Sequence, residues 1–536
     1  MRYLKFILEK LFFISLFFLF PYFSWAESET EIEALQRALA ELREENVELK
    51  KLLEISDLKI ENQNKLLVDK ESKITAFKDS ARKERQAKRQ SSGSSLGRDR
   101  GPSGALKIGS LTLGGAIRAN YIRGDYSNNA ADGAIDGPSR DKGTMNLGTV
   151  IFNGKYESRD SMAFAEYRFY DNVGSFGGTH FLHTAWFGKQ FNDGSSFKAG
   201  IVEVPFGIER FGAAYGYLNH LDTIVGLADD RDLGISYNFA LSDWDVDIAY
   251  FVGSEPEGHG ESENSARGSY DIISPYSPVP DLQYNSASFA PPTGTSDYPK
   301  NNYLLGNFSP WKEGEQFNIR LKKEFYSGNF DNVIGASYQY GTLESTDDLE
   351  RFDEGTTKAS SIFIKSTYGA WQLKAAYTQY HYDIDTAKLP IASPSFYNPD
   401  QIVIGGFDTP FFVSSKGRIP SLGLSYTLFP KVDFIDYLVP YIDYSRIIKD
   451  GETNLNYYNV LSGTEFNDSE QFSIGTMVGI GSMLIYIDLS YGKGSPLVGN
   501  VNSQYFTGAS FNGGQTGLSF DESWQHRFTI NFGYYY

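Results

Sequence analysis

The last twelve residues, 525–536, read QHRFTINFGYYY and alternate without a break. Phe528, Ile530, Phe532, Tyr534 and Tyr536 share one face; Arg527, Thr529, Asn531, Gly533 and Tyr535 share the other. A period of two is the period of a β-strand, whose successive side chains point to opposite sides. A wholly apolar, aromatic face is a liability on the edge strand of a soluble sandwich. It suits a strand that meets lipid on its outer face and water on its inner one.

The N-terminus fits a chain that leaves the cytoplasm. Arg2, Lys5 and Lys10 precede the apolar run 11–23, and Ser24, Trp25 and Ala26 follow. That is the charged region, apolar region and small-residue site of a secretory signal peptide, residues 1–26, with cleavage expected after Ala26. The run is short of the roughly 20 residues a membrane-spanning helix needs. No other run approaches that length, so any membrane role falls to strands.

Composition narrows the field. The chain has no Cys, which removes disulfides and thiolate metal sites. Aromatic residues make up 15% of it, as expected where aromatic girdles sit at two lipid interfaces. Hydrophobic residues are 41% and mean hydropathy is −0.36, values that fit one apolar face and long polar loops. Residues 1–100 carry 19 basic and 17 acidic side chains, whereas the remainder carries 30 and 50. Such an acidic body excludes nucleic acid as a partner.

Residues 27–80 are of another kind. From 31 to 78, apolar residues recur at alternating spacings of three and four. Ile32, Leu39, Asn46, Leu53, Ile60, Leu67 and Ile74 take the a positions, and Leu35, Leu42, Leu49, Ser56, Gln63, Lys70 and Phe77 the d positions. Seven heptads, with Glu45 at g and Lys50 at the following e, predict an α-helical coiled coil, and the polar Asn46 fixes register and strand number. A single amphipathic helix is the alternative, but the first three heptads are nearly all Leu or Ile at a and d. The coiled coil implies a homo-oligomer. Residues 81–105 form a basic linker with Arg82, Lys83, Arg85, Lys88, Arg89, Arg98 and Arg100 among Ser and Gly. It reads as solvated spacer, with cell-wall polymer or anionic lipid as the weaker alternative. Gly93-Ser94-Ser95-Leu96-Gly97 matches the nucleophile-elbow pattern but lacks the strand and helix that motif requires.

Residues 106–536 divide into strands at about 111–123, 146–156, 162–171, 181–191, 196–203, 234–241, 243–253, 316–326, 331–341, 358–369, 371–383, 416–428, 436–448, 469–480, 482–493 and 524–536. Sixteen is an even number, with eighteen as the alternative count. Short polar turns such as 192–195 and 327–329 alternate with long connections such as 204–233, 254–315, 384–415 and 494–523. That asymmetry is expected of an outer-membrane barrel, and sixteen strands leave an aqueous lumen. Charges recur opposite the apolar residues: Glu166 and Arg168 oppose Ala165 and Tyr167, and Arg320 and Lys322 oppose Ile319 and Leu321. The expected fold is all-β: a 16-stranded antiparallel transmembrane β-barrel with an N-terminal α-helical coiled coil. The alternating ending, closing on Tyr536, resembles the insertion signal of bacterial outer-membrane barrels. That assigns Phe528, Ile530, Phe532, Tyr534 and Tyr536 to assembly and implies outer-membrane lipid and the barrel assembly machinery as partners.

Residues 197–209, FKAGIVEVPFGIE, resemble the strand-and-turn signature of the phosphate-selective porin O and P family. The resemblance extends over residues 106–536. It implies a trimeric sixteen-stranded barrel, in some members with an N-terminal coiled coil, whose third outer loop folds into the pore. Here that loop is 204–233. It carries Glu209, Asp222, Asp229, Asp230 and Asp232 against Arg210 and Arg231. Phosphate selection needs basic groups that replace the anion's hydration, and this loop is acidic. Arg118, Arg168, Lys198, Arg320 and Lys322 read inward as a basic pore wall, so loop and wall could set up a transverse field. Equally, the charges could simply hydrate the lumen and pair with one another. Asp243, Asp245 and Asp247 share a strand face; carboxylates at strand spacing more often face water than hold a metal.

The six His are scattered, and no catalytic, cofactor or metal site is assigned. The expected function is an outer-membrane porin of a Gram-negative bacterium. It passes ions and small hydrophilic solutes, without strict phosphate selectivity, and holds its coiled coil in the periplasm. The alternative is a structural anchor whose coiled coil tethers the membrane to the wall. Since closing a barrel requires only strands, deletion of residues 31–78 is expected to leave a heat-modifiable, conducting barrel with weakened oligomerisation. Loss of all folded barrel on gel electrophoresis would refute that division of labour.

Overall fold

The computed structural model describes residues 106–124, 143–172, 175–208, 220–260, 265–274, 310–346, 352–384, 399–407, 409–432, 434–452, 465–495, 498 and 524–536. The expected signal peptide, coiled coil and basic linker, together with Glu209 and Arg210, lie outside the described residues.

Sixteen strands pair in sequence order, each antiparallel to the next. They are β1 (Leu111–Gly124), β2 (Thr144–Ser158), β3 (Ser161–Asn172), β4 (Ser175–Gln190), β5 (Ser196–Glu203), β6 (Arg231–Leu241), β7 (Trp244–Ser254), β8 (Trp311–Ser327), β9 (Phe330–Ser345), β10 (Gly355–Tyr368), β11 (Trp371–Asp383), β12 (Lys416–Tyr426), β13 (Tyr437–Asp450), β14 (Ser469–Ile480), β15 (Met483–Lys493) and β16 (Gln525–Tyr535). The ring closes where β16 pairs with β1, from Ala116 opposite Tyr535 to Gly124 opposite Arg527. Beyond that register, Gly115 N donates to Tyr536 O at 2.8 Å and Tyr536 N to Gly115 O at 3.1 Å. A short strand, Leu106–Ile108, pairs with Leu111 to Leu113 and continues the seam past the end of β16.

The period of two sorts every strand into two environments. Ile117, Phe152, Phe187, Phe317, Ile362, Leu422, Ile487 and Phe532 are exposed on the outside, where lipid is the solvent. Ser337, Ser361, Thr378, Ser445, Ser473 and Thr529 are buried on the inside. On β16 the structure turns Phe532 and Tyr534 outward and Arg527, Thr529 and Asn531 inward.

The ring has sixteen strands rather than eighteen, and three edges differ by four residues or more from those expected. β4 starts at Ser175, β8 starts at Trp311, and β9 runs to Ser345. The added stretches, SFGGTH and WKEGE, are rich in Gly and charge and carry little strand signal of their own. Neighbouring ladders extend them. Turn chemistry is local by comparison. In the turn 191–195, Asp193 Oδ1 accepts from Ser195 N at 3.0 Å and from Ser195 Oγ at 2.7 Å, while Gly194 takes φ of 88°.

Connections at one end are short (159–160, 191–195, 242–243, 328–329, 369–370, 427–436, 481–482). Those at the other are mostly longer, except 346–354 and 173–174, and at the latter the early start of β4 removes the expected loop. Three long-end connections matter for the interior: L3 (204–230), L4 (255–310) and L6 (384–415). From L4 and L6 come Asp271–Ile272, Gln401–Gly406 and Thr409–Ser414, which form a separate three-stranded sheet. Its Ile272, Ile402, Val403 and Ile404 are buried in one cluster with inward-facing Phe251, Trp311, Leu343, Tyr380 and Tyr382. The same cluster continues to Val439, Tyr441, Met477 and Tyr486 on β13 to β15.

Ile362, 63% exposed in the middle of β10, tests the outer face. Ile362→Arg is expected to destabilise the barrel in bilayers by about 2–4 kcal/mol. The neighbouring inward change Ser361→Asn is expected to cost less, as measured by urea unfolding in the same lipid.

Candidate functional site: a loop stitched across the lumen

L3 leaves β5 and returns to β6, its two roots joined where Val204 N donates to Asp230 O at 3.0 Å. Between them it reaches strands far from its origin. Gly207 N donates to Ser337 Oγ of β9 at 2.9 Å. Leu221 N donates to Ser445 Oγ of β13 at 3.0 Å. Thr378 Oγ1 of β11 donates to Asp222 Oδ2 at 2.9 Å, and Tyr382 OH of β11 donates to Val225 O. Small hydroxyls on the inner wall thereby satisfy backbone groups that irregular chain inside a barrel would otherwise leave unpaired. Removing the hydroxyl of Ser337 or Ser445 leaves a backbone donor orphaned, and removing that of Thr378 or Tyr382 an acceptor, at about 1–3 kcal/mol each.

Thr223–Val225 form one 3-10 turn, capped by Gly226 in the left-handed region at φ 73°. A Cβ at Gly226 would stand 2.8 Å from Tyr270 O, so both conformation and space call for glycine there. Leu221, Ile224, Val225 and Leu227 are buried to within 1%. Four such side chains contribute on the order of 6–12 kcal/mol.

Asp222 opposes that packing. It is buried, its Oδ1 accepts no hydrogen bond, and burial raises its pKa to about 7 despite the hydrogen bond from Thr378. Burial also pushes His220 down to about 3, so the His220 ring 3.7 Å away is neutral and forms no ion pair with Asp222. Ionising Asp222 in place costs on the order of 4 kcal/mol relative to water. The apolar burial outweighs this, and L3 stays seated on both sides of the titration.

The opposite part of the wall is basic. Arg118 of β1, Arg168 of β3 and Arg231 at the start of β6 all act electrostatically on Glu166 and on buried His183. Arg168 Nη2 lies 2.6 Å from Glu166 Oε1, and Arg231 Nη2 lies 2.9 Å from Asp229 Oδ1. The side chains of Arg168, Glu166 and Arg231 keep 13–16% of their surface.

Elsewhere the expected wall cations meet carboxylates or rings. Arg320 Nε donates to Asp247 Oδ2 at 2.9 Å, and Lys322 Nζ lies 3.1 Å from Asp245 Oδ2. The face shared by Asp245 and Asp247 is therefore an ion-pair ladder across β7 and β8. Lys198 Nζ stands 4.7 Å from the centre of the Trp186 ring.

The acids expected to line the pore are divided by the structure. Asp229 keeps 60% of its side chain exposed, but Asp230 and Asp232 are 2% and 1% exposed and face away from water. They lie instead with Asp271 of L4, their carboxylate oxygens within 4.8 Å of one another. Sequence reasoning missed Ser337, Thr378 and Ser445 as loop partners, and also Asp271. A lone Ser on a polar strand face carries no linear signal that a distant loop will bond to it. The Glu166 and Arg168 spacing, by contrast, was readable. His180 Nδ1 is 2.7 Å from Tyr167 OH and its ring stacks on His259 at 5.1 Å.

No protein-family model and no curated protein matches the sequence. Among solved structures, the chain is similar to the outer membrane channel DcaP of Acinetobacter baumannii, at 12% identity over 80% of this chain and 99% of that one, with a TM-score of 0.46. It is similar to OmpT of Vibrio cholerae at 12% identity over 81% and 100%, TM-score 0.41. An anion-selective porin from Comamonas acidovorans gives 12% over 80% and 99%, TM-score 0.38. Identities and scores this low add nothing to the assignment of a transmembrane β-barrel, which rests on the closed strand pairing and the two faces.

The titration of Asp222 has a definite sign. Its folded pKa lies above the unfolded value, so its contribution is fully favourable below about pH 4 and is lost as pH rises through about 7. Between pH 5 and 8, opening of L3 is expected to become easier by roughly 3 kcal/mol, about a hundredfold. Amide hydrogen exchange at residues 221–227, corrected for intrinsic rates, reads it directly. Asp222→Asn should flatten the profile; an unchanged slope would assign the pH response to another group.

Proposed function

We propose that the protein is an outer-membrane porin: a water-filled channel for passive diffusion of ions and small hydrophilic solutes, assembled as a trimer through its N-terminal heptads. The observation that carries this reading is a closed sixteen-stranded ring, apolar outside and charge-bearing inside, with a loop stitched across its interior to β9, β11 and β13. A soluble barrel has no use for the first property, and a solid one has no use for interior charge.

The resemblance to phosphate-selective porins raises the question of the solute. Arg168, Arg231, Arg320 and Lys322 each already face a carboxylate within 2.6–3.1 Å. A cation so paired cannot replace the hydration shell of phosphate without first giving up its partner. The proposed selectivity is therefore near neutral or weakly cationic, with no high-affinity phosphate site. Tethering the membrane to the wall is the second reading, favoured by the apolar packing of L3, L4 and L6 within the barrel.

Single-channel recording in planar bilayers separates these readings. Conductance with a reversal potential near zero or slightly cation-selective, unaffected by millimolar phosphate, is expected. Arg168→Gln with Arg231→Gln should shift the permeability ratio towards cations by roughly twofold to fivefold. Strong anion selectivity with block at low phosphate would overturn the proposed solute class, and a folded, inserted, silent barrel would favour the tether.

A further inference from the structure

Where L3 rejoins the wall, five carboxyl side chains from separate segments converge: Asp230 and Asp232 flanking the start of β6, Glu255 and Asp271 of L4, and Glu313 of β8. Asp230, Asp232, Glu255 and Asp271 are each no more than 2% exposed. Arg267, the cation that meets the group, donates from Nη1 to Asp271 Oδ2 at 3.0 Å and shares itself with Ser254 at 2.7 Å and Glu257 at 3.3 Å. One arginine does not balance five acids.

The hydrogen bonding is one-sided. Glu255 Oε1 accepts from Gly268 N, Ser269 N and Ser269 Oγ at 2.7–2.8 Å, while its Oε2 accepts from no donor. Asp271 uses Oδ2 for Arg267 and leaves Oδ1 without a donor. Asp232 Oδ2 takes Gln316 Nε2 at 3.3 Å and leaves Oδ1; Asp230 leaves both oxygens. Three carboxylates are thus each held by one oxygen, as outer donors hold the ligands of a metal ion. Five buried oxygen atoms are left with no proton to accept. Burial and mutual repulsion both disfavour so many bare carboxylates in one place, and a cation among them would relieve both. All donors are hard oxygens with no imidazole or thiolate among them. That set suits calcium, which accepts six to eight oxygens in loose geometry, better than zinc or copper, and better than magnesium, which demands a strict octahedron.

We propose that Asp230, Asp232 and Asp271, with Glu255, bind one calcium ion that fastens L3 and L4 to the barrel wall. The ion would join the C-terminal root of L3 to a segment 41 residues further along the chain. It would hold the root of the proposed pore loop without standing in the solute path. This inference concerns a structural ion and holds whether the barrel conducts or tethers.

The test uses full-length protein refolded from inclusion bodies, free of lipopolysaccharide, and stripped with chelator. Calorimetric titration with calcium should show one saturable site per chain. Calcium should also raise the temperature at which the barrel loses its heat-modified gel mobility. Asp230→Asn and Asp271→Asn should each weaken binding at least tenfold, and Asp243→Asn, in a turn remote from the group, should not. Removing a like charge should also make the stripped Asp230→Asn barrel more heat-resistant than stripped wild type, a change a merely damaged fold would not give. Glu255→Gln serves where an Asp variant fails to fold. Absence of saturable binding up to millimolar calcium, or equal binding by wild type and folded variants, would overturn the proposal and leave a proton-sharing carboxyl group.

Discussion

Everything in this molecule depends on one demand of lipid: no backbone N–H or C=O can be left without a partner where water is absent. A sheet meets it only by losing its edges, and β16 lying against β1 removes the last two. The two-faced pattern of side chains follows, because a closed ladder fixes which residues point out and a register slip would invert all of them. The longer reach of β4 and β8 belongs to the same demand, since weak strand formers are carried by paired neighbours.

Inside the ring the same demand is met by side chains. L3 has no ladder, so its amides and carbonyls find Ser337, Ser445 and Tyr382 instead. The interior is consequently divided. Beneath L3, L4 and L6 lies an apolar cluster that takes in one awkward carboxyl, Asp222, while others gather at the loop roots. Arginines paired with Glu166 and Asp229 face the remaining space. Among the described residues, acids on the inner wall are used structurally, paired across strands as Asp247 is with Arg320 or gathered at a loop root as Asp230, Asp232 and Asp271 are.

What could be read from the sequence tracks the range of the physics. Alternation is a local property, and it located all sixteen strands and the lipid-facing side of β16. Gly and charge in SFGGTH and WKEGE blurred two starting edges, because pairing there is imposed from outside the segment. Charges opposite apolar residues gave the inward direction of Arg168, Arg320 and Lys322, yet their partners were hidden. Asp247 and Arg320 stand 73 residues apart and meet only through strand register. Asp230 and Asp232 misled for a related reason: beside Asp229 they look like one acidic run, and only the fold of L4 shows that Asp271 takes them out of the water.

The hydrogen bonds between Gly115 and Tyr536 carry a consequence for how such a chain comes into being. The first strand acquires its second neighbour only when β16 arrives, so the contact that closes the ring spans almost the whole barrel sequence. Loop closure over that distance is slow, and the intermediate bears two open ladders that can recruit a stranger. Membrane entry and protection from aggregation thus become a single event, governed by the meeting of two segments as far apart as Asn120 and Asn531, 411 residues along the chain.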